Sequence, residues 1–148
     1  MKKKTAAALA MLLVLCFVSA CARENKTLRD GTYTARSSVY ENEDGTDDGN
    51  GYGEITITIE GGVITACEFF AYEPDGTLKD ETYGMANGRI ANQDFFNKAQ
   101  KATAACAEYA RMLVESGSIQ GVDAISGATI NYDAFMEAAE EALAEAAQ

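Results

Sequence analysis

The residues best placed to do chemistry form one short stretch, residues 123–129, which read DAISGAT and are called the DAISGAT segment below. Its small side chains let the backbone and a hydroxyl group come close to a bulky ligand, and Gly127 permits a turn with positive φ. An amphipathic pattern follows directly, so Thr129 lies at or just before a helix N-terminus. Free N–H groups and the helix dipole favour an anion there, typically a phosphate. The segment is therefore predicted to hold a phosphorylated ligand, with the Thr129 hydroxyl at the helix start and Ser126 just behind it.

A plainer interpretation of the DAISGAT segment is an ordinary turn of small residues. Glycine-rich turns often precede helices, and Asn131 offers a side chain that could cap the helix that follows. Residue spacing alone does not separate this turn from a phosphate site, so both interpretations stay open.

Two amphipathic helices are predicted around this segment. The first covers residues 92–117, with Asn92 or Asp94 as its N-cap and Gly117 as the residue that ends it. Its apolar stripe consists of Phe95, Ala99, Ala102, Cys106, Tyr109 and Leu113. The second helix closes the chain, with glutamates outward and an apolar face inward. That inward face consists of Phe135, Ala138, Ala139, Ala142, Leu143 and Ala146.

The clearest strand is residues 53–60, where isoleucine and threonine alternate. Gly61 and Gly62 supply a two-residue turn, and residues 63–72 form the returning strand. Pairing Glu60 with Val63 predicts a core face and an opposite face. The core face is expected to carry Ile55, Ile57, Ile59, Ile64, Ala66 and Phe70. The opposite face is expected to carry Thr56, Thr58, Thr65, Cys67 and Phe69.

A further strand is predicted in residues 30–36, opened by an Asp-Gly turn. The fold class is then α+β, a small antiparallel β-sheet with two packed α-helices. In the predicted register Cys67 faces away from the core, whereas Cys106 lies on a core-facing helix stripe. Two separate thiols are favoured, although export would permit a disulfide between them.

Two loops carry side chains that could bind a ligand. Residues 41–51 resemble the start of a calcium loop, with Asp44, Thr46 and Asp48 as oxygen donors. Ile55 stands where such a loop requires a bidentate glutamate, so a solvated loop is predicted. In the second loop, residues 73–88, Tyr83 and Met85 are candidates to stack on a planar ring.

An export signal is predicted at residues 1–20. Three lysines precede an apolar core that is too short for a lasting transmembrane helix. The signal ends in Val-Ser-Ala-Cys, which resembles a bacterial lipobox and predicts lipidation of Cys21; a simple secretory signal is the alternative. Residues 21–29 are then expected to form a tether and residues 30–148 one domain.

The charge of the chain excludes several partners. The formal net charge is −11, and it becomes −14 without the three lysines of the signal. Such a surface repels nucleic acid and anionic headgroups, so the lipid must do the anchoring. The chain contains no histidine, which removes the usual general base and much of the usual transition-metal ligation.

The DAISGAT segment also carries a family resemblance, because it matches every fixed position of the D-x-x-S-G-A-T signature of the FMN-binding domain family. The opening Asp-Gly-x-Tyr at residues 30–33 resembles the start of that domain. Residues 78–84, LKDETYG, resemble its covalently flavinylated lipoprotein branch, and the Glu-Thr-Pro-Gly segment of the family's membrane redox subunits is absent. The resemblance covers residues 30–146 and is specific only in the DAISGAT segment.

The resemblance implies FMN joined to Thr129 through a phosphoester, in a loop shaped by Asp123, Ser126, Gly127 and Ala128. It implies loading by an extracytoplasmic flavin transferase that uses FAD and Mg²⁺. The expected function is a lipid-anchored electron carrier on the outer face of a bacterial membrane, with no catalytic residues and no metal site.

Two rival functions remain open. In one, the domain is a non-catalytic surface lipoprotein that binds FMN or another phosphorylated ligand without a covalent link. In the other, the signal itself matters most, because residues 13–20, LVLCFVSA, resemble the apolar octapeptide pheromones released from some lipoprotein signals.

Overall fold

Alternating isoleucines and threonines build the central strand of a three-stranded antiparallel sheet. The computed structural model describes residues 27–46 and 49–148. The strands are β1 (Gly31–Arg36), β2 (Tyr52–Glu60) and β3 (Val63–Tyr72), in the order β1-β2-β3. Two helices follow, α1 (Gln93–Ser116) and α2 (Thr129–Ala146), joined by a single 3-10 turn at Ile119–Gly121. The predicted α+β fold is confirmed.

The predicted export signal and the predicted lipidation site at Cys21 lie outside the described residues. So does Asp48 of the loop at residues 41–51, called the acidic loop below. Within the part of the chain that the structure describes, no helix has the length and apolar character needed to cross a membrane.

The hairpin turn and the Glu60–Val63 pair are confirmed, but the faces predicted for β3 are wrong from Ala66 onwards. Ile59 pairs with Ile64, whereas Thr58 pairs with Ala66, so Thr65 is an extra residue in β3 and forms a β-bulge. A one-residue shift exchanges the two faces of a strand. Phe69 is consequently buried at 3% exposure, and Phe70 is 47% exposed.

The bulge also reverses the faces that were predicted for Ala66 and Cys67. Cys67 pairs with Ile57 and packs against the core, while Ala66 is exposed. Cys67 and Cys106 are both free thiols, as expected, although the reason given from the sequence was wrong. Both cysteines are on the helix-covered side of the sheet, and they are nevertheless unpaired.

The two helices end close to the predicted residues. Asn92 caps α1 by accepting hydrogen bonds from the backbone N–H groups of Asp94 and Phe95, and Gly117 ends it with φ 65°. The predicted inward face of α2 is confirmed at five positions, and Leu143 is half-buried. The five buried residues are Phe135, Ala138, Ala139, Ala142 and Ala146.

The core lies between the sheet and the helices, with α1 on β3 and α2 on β1 and β2. Phe69 meets Phe135 edge to face, with ring centroids 5.1 Å apart. Gly53 leaves room for the Phe69 ring, because a Cβ atom there would collide with it. Near the N-terminal end of the described chain, Arg29 donates from Nη2 to the Glu145 carbonyl oxygen at 2.9 Å, so this end lies against the C-terminus of α2.

Candidate functional site

The DAISGAT segment forms a tight turn directly before α2. The backbone N–H of Ala128 donates to the carbonyl oxygen of Ile125 at 3.0 Å, which closes the turn. Gly127 is the third residue of this turn and has φ 84°, a conformation that residues with a Cβ atom adopt only with strain. Glycine is therefore required at position 127 for the backbone conformation.

Two tyrosine hydroxyl groups hold the turn against the helices. Tyr109 of α1 accepts a hydrogen bond from the Ile125 N–H and donates one to the Ala128 oxygen, each at 3.2 Å. Tyr132 of α2 donates to the Val122 oxygen at 3.2 Å. Ala128 itself is buried. The sequence placed Tyr109 only in an apolar stripe and gave Tyr132 no role, yet both hydroxyl groups fix the turn.

Helix α2 begins at Thr129, as predicted, and no side chain caps its N-terminus. Asn131 lies inside the first turn and is buried. Its Nδ2 donates to the Ala102 oxygen at 2.8 Å, so it ties α2 to α1. The alternative in which Asn131 caps the helix is therefore wrong. Among the side chains that the structure describes, none accepts from the N–H groups at the start of α2.

An open cleft of about 290 Å³ lies beside this helix start. Its walls come from the first half of α1, the start of α2, the loop after β3 and the acidic loop. The lining residues are Gly49, Lys79, Tyr83, Phe95, Lys98, Ala99, Ala102, Gly127, Ala128, Thr129, Ile130 and Asn131. The lining combines apolar and aromatic surface with two lysines and one threonine hydroxyl, a composition typical of ligand sites.

Positive charge gathers at the cleft although the chain is strongly acidic. The described residues contain three lysines, of which Lys79 and Lys98 line the cleft. The third, Lys101, approaches Gly127, with its Nζ 3.6 Å from the point where a Cβ atom would stand. Lys98 and Lys101 are exposed, whereas Lys79 is only 5% exposed. This end of the molecule is suited to an anion.

Gln100 holds the loop between β3 and α1 in place as one wall of the cleft. Its Nε2 donates to the backbone oxygens of Asp80 and Tyr83, at 3.1 and 2.9 Å. Tyr83 lines the cleft, as expected of a residue that could stack on a ring, and Met85 is not among the lining residues. On the opposite wall, a Cβ atom at Gly49 would stand 2.6 Å from Cδ1 of Ile130, so glycine permits this close approach.

The predicted site residues divide into two groups. Thr129, Gly127 and Ala128 line the cleft, and Thr129 is exposed. Asp123 and Ser126 are exposed on the same turn and are not among the lining residues. Their roles stay predictions.

Sequence reasoning missed Lys79, Lys98, Lys101 and Gln100. The three lysines carried a usable signal, because lysine is rare in this acidic chain after residue 26. Gln100 carried none, because its partners are backbone oxygens of a distant loop. Within residues 27–46 and 49–148, no group of three or more His, Cys, Asp or Glu side chains could hold a metal ion.

Comparisons with known proteins place this arrangement in a family. The family model described as FMN-binding domain matches residues 49–144, well over half of the chain. No curated protein sequence matches.

Two solved structures resemble the chain. The crystal structure of the CPE2226 protein from Clostridium perfringens shares 21% identity, with a TM-score of 0.58 over 80% of this chain and 88% of that one. A solution NMR structure from Clostridium thermocellum shares 24% identity, with a TM-score of 0.43 over 82% of this chain and 94% of that one. The Clostridium perfringens structure supports the fold alone. The extent of the family match shows more: the chain belongs to the FMN-binding domain family and is a flavin-binding protein.

Proposed function

We propose that this protein is an extracytoplasmic electron carrier, anchored to the membrane by a lipid on Cys21, with FMN attached covalently through Thr129. The observation that carries the proposal is the position of Thr129. Its exposed hydroxyl stands at the uncapped start of α2, on the wall of the lysine-bearing cleft.

The start of α2 fits the phosphate group of FMN. Within residues 27–46 and 49–148 no side chain accepts from the first N–H groups of the helix, and the helix dipole adds partial positive charge. Lys98 on the cleft wall and Lys101 beside Gly127 bring two cations to the same end. A phosphodiester keeps one negative charge, so backbone donors and lysines complement it together.

The cleft also fits a flavin ring. Tyr83 and Phe95 supply aromatic surface, and Ala99 and Ala102 leave a shallow wall on α1. When bound, FMN supplies one- and two-electron transfer, while the protein positions it and tunes its potential. The cleft is open to solvent, which suits a carrier that exchanges electrons with a partner rather than enclosing a substrate.

Attachment is a phosphoryl transfer onto Thr129. Its Oγ1 attacks the phosphorus of the FMN half of FAD, the bond to the AMP half breaks, and AMP leaves. The hydroxyl proton passes to a base of the flavin transferase, because a threonine hydroxyl is a weak nucleophile unless activated. Mg²⁺ on the transferase offsets the charge of the phosphates. The exposure of Thr129 supports access by a second protein.

A covalent link suits the proposed location. Outside the membrane a dissociating flavin would be lost, and an ester bond removes the need for tight reversible binding. The lipid on Cys21 would hold the domain near membrane redox partners, and the charge of −14 in the mature chain would keep it off anionic headgroups.

The test is to co-express the protein with a flavin transferase, denature it, and look for flavin fluorescence that migrates with the polypeptide. Wild type is expected to fluoresce, and Thr129→Val is expected to lose the signal while it stays folded. Ser126→Ala is the matched control, because it removes an exposed hydroxyl of the same turn that does not line the cleft. Undiminished fluorescence in Thr129→Val would contradict the site. A wild type that binds FMN and releases it on denaturation would favour the non-covalent alternative.

A further inference from the structure

Lys79 is an unusual residue for the wall of an open cleft. It is 5% exposed, and its Nζ donates to the Gly49 carbonyl oxygen at 3.1 Å. The ammonium also lies 4.9 Å from the centre of the Tyr83 ring. It forms no ion pair with any carboxylate of residues 27–46 and 49–148.

Burying an ammonium group without a carboxylate is costly. Desolvation lowers the pKa of Lys79, and the nearby charge of Glu73 acts in the opposite direction. A lysine has three N–H donors, and one of them is used by Gly49. Since no carboxylate of the described residues pairs with Lys79, a negatively charged ligand in the cleft would offset this cost.

The phosphate of FMN is not the best partner for Lys79. At Thr129 that phosphate meets the start of α2, together with the exposed Lys98 and Lys101. Lys79 lies instead among the buried groups of the cleft, close enough to Cys106 for the two to interact electrostatically. The ribityl chain of FMN is neutral, so with the phosphate held at Thr129 the part of the ligand that can offer negative charge to Lys79 is the ring.

We propose that Lys79 sets the redox potential of the bound flavin by holding a positive charge against the ring. This inference rests on the proposed attachment of FMN beside the cleft. It assigns to one residue a property that neither the fold nor the family establishes.

The chemistry follows from charge balance. Full reduction adds two electrons to the ring, with either two protons, which gives a neutral ring, or one proton, which leaves one negative charge on it. A cation beside the ring favours the charged form, so it lowers the pKa of the reduced ring and raises the reduction potential. The proposed effect is electrostatic, and Lys79 forms no covalent bond with the ring.

Few other ionisable groups can produce the same effect. Of the residues that the structure describes, those around Lys79 are Tyr83 in the same loop, Glu73 after β3 and Cys106 of α1, and Lys98 lines the cleft. Burial raises the pKa of the Cys106 thiol to about 11, so this thiol is neutral at ordinary pH. Glu73 is negative and acts against the proposed effect, while Lys98 is exposed and screened by water.

The experiment is a redox titration of the FMN-loaded protein with dithionite at a series of pH values, with free FMN in the same buffers as reference. The potential of a two-electron couple changes by about 60 mV per pH unit when two protons accompany reduction, and by about 30 mV when one does. The pH at which the slope changes is the pKa of the reduced ring. In wild type this pH is expected to lie below that of free FMN.

Lys79→Met keeps an apolar stem of similar length and removes the charge. It is expected to raise the pH of the slope change by about one unit or more. It is also expected to lower the reduced-to-oxidised ratio at a fixed potential by about tenfold, which corresponds to about 30 mV. Lys79→Arg restores the charge and is expected to resemble wild type. Arg89→Met is the control, because it removes an exposed cation that does not line the cleft.

A Lys79→Met protein with the potential and slope change of wild type would overturn the proposal. If Lys79→Met cannot be loaded, Lys79→Gln replaces it. Titration of the wild type alone also tests the proposal, because a slope change at the same pH as in free FMN contradicts a cation at the ring. Failure of the proposed covalent link can be distinguished from failure of this inference. Flavin released on denaturation contradicts the ester at Thr129, while the titration of the native FMN complex still tests the role of Lys79.

Discussion

The hydroxyl of Tyr109 donates a hydrogen bond to the backbone oxygen of Ala128 at 3.2 Å, across the gap between α1 and the turn before α2. The hydroxyl oxygen of Tyr109 in turn accepts a hydrogen bond from the Ile125 N–H at 3.2 Å. One buried side chain thus holds both ends of the turn that presents Thr129. The position of the proposed attachment site therefore depends on a residue of another helix.

Tyr109→Phe is expected to destabilise the protein and to reduce FMN loading. The change leaves the Ile125 N–H without its partner and removes one of two hydrogen bonds at the Ala128 oxygen, which still accepts from the Tyr132 N–H. The unsatisfied N–H costs about 1–3 kcal/mol in the free energy of unfolding. Urea denaturation of the two proteins measures this cost. Tyr33→Phe is the control, because the Tyr33 hydroxyl donates to Arg29 on an exposed edge, away from the cleft. Equal, small losses in both variants would contradict the role of Tyr109.

Phe69→Ala is expected to be far more damaging than Phe70→Ala. Phe69 is buried against Phe135, and removal of a buried phenylalanine costs about 3–5 kcal/mol. Phe70 is exposed on the other face of β3, so its removal is expected to change the free energy of unfolding much less. Denaturant titration of both variants compares them directly. A larger loss for Phe70→Ala would show that the strand has the register without the bulge.

The two thiols are expected to resist alkylation in the folded protein. Burial raises the pKa of Cys67 to about 12, with Glu68 adding to the effect, and raises that of Cys106 to about 11. The thiolate is the reactive form, so iodoacetamide at pH 8 should modify native protein slowly and unfolded protein quickly. A soluble form that begins at Ala22 contains only these two cysteines. Failure to alkylate after unfolding without reductant would indicate a disulfide.

The raised pKa values of the two thiols also predict how the free energy of unfolding changes with pH. In the unfolded chain the thiols ionise near their ordinary pKa of about 8.5, whereas in the folded protein they stay protonated to higher pH. Their contribution to the free energy of unfolding is therefore complete below that pH and is lost as the pH rises towards 11 and 12.

Cys21→Ala is expected to release the protein from membranes or to stall its processing. The reason is that a lipid on Cys21 is the proposed anchor, and the acidic mature chain offers no electrostatic substitute. Cell fractionation with immunoblotting measures the distribution. Normal processing with unchanged membrane association would contradict the lipobox interpretation.

Much of the fold followed from the sequence because the deciding interactions are local. Alternation defined β2, two glycines defined its turn, and Asn92 and Gly117 marked the ends of α1. The bulge at Thr65 was not predictable in this way. Shifting β3 by one residue exchanges Phe69 with Phe70, and both are aromatic, so the pattern of apolar residues does not choose between them.

The site was only partly predictable for a related reason. Thr129 and Gly127 stand out because small residues precede a helix. Asn131 has the residue type of a cap, yet its amide is used by the Ala102 oxygen of α1. Lys79 reaches the cleft from a loop whose position depends on Gln100. These contacts join residues that are distant along the chain, so no short stretch of sequence reveals them.

The most direct test of the account is the intact mass of the mature protein after co-expression with a flavin transferase. We expect a mass increase equal to FMN less one water, assigned by peptide mapping to the fragment that contains Thr129, and no increase in Thr129→Val. An unmodified wild type would contradict the covalent electron carrier, and an unchanged increase in Thr129→Val would contradict Thr129 as the attachment site.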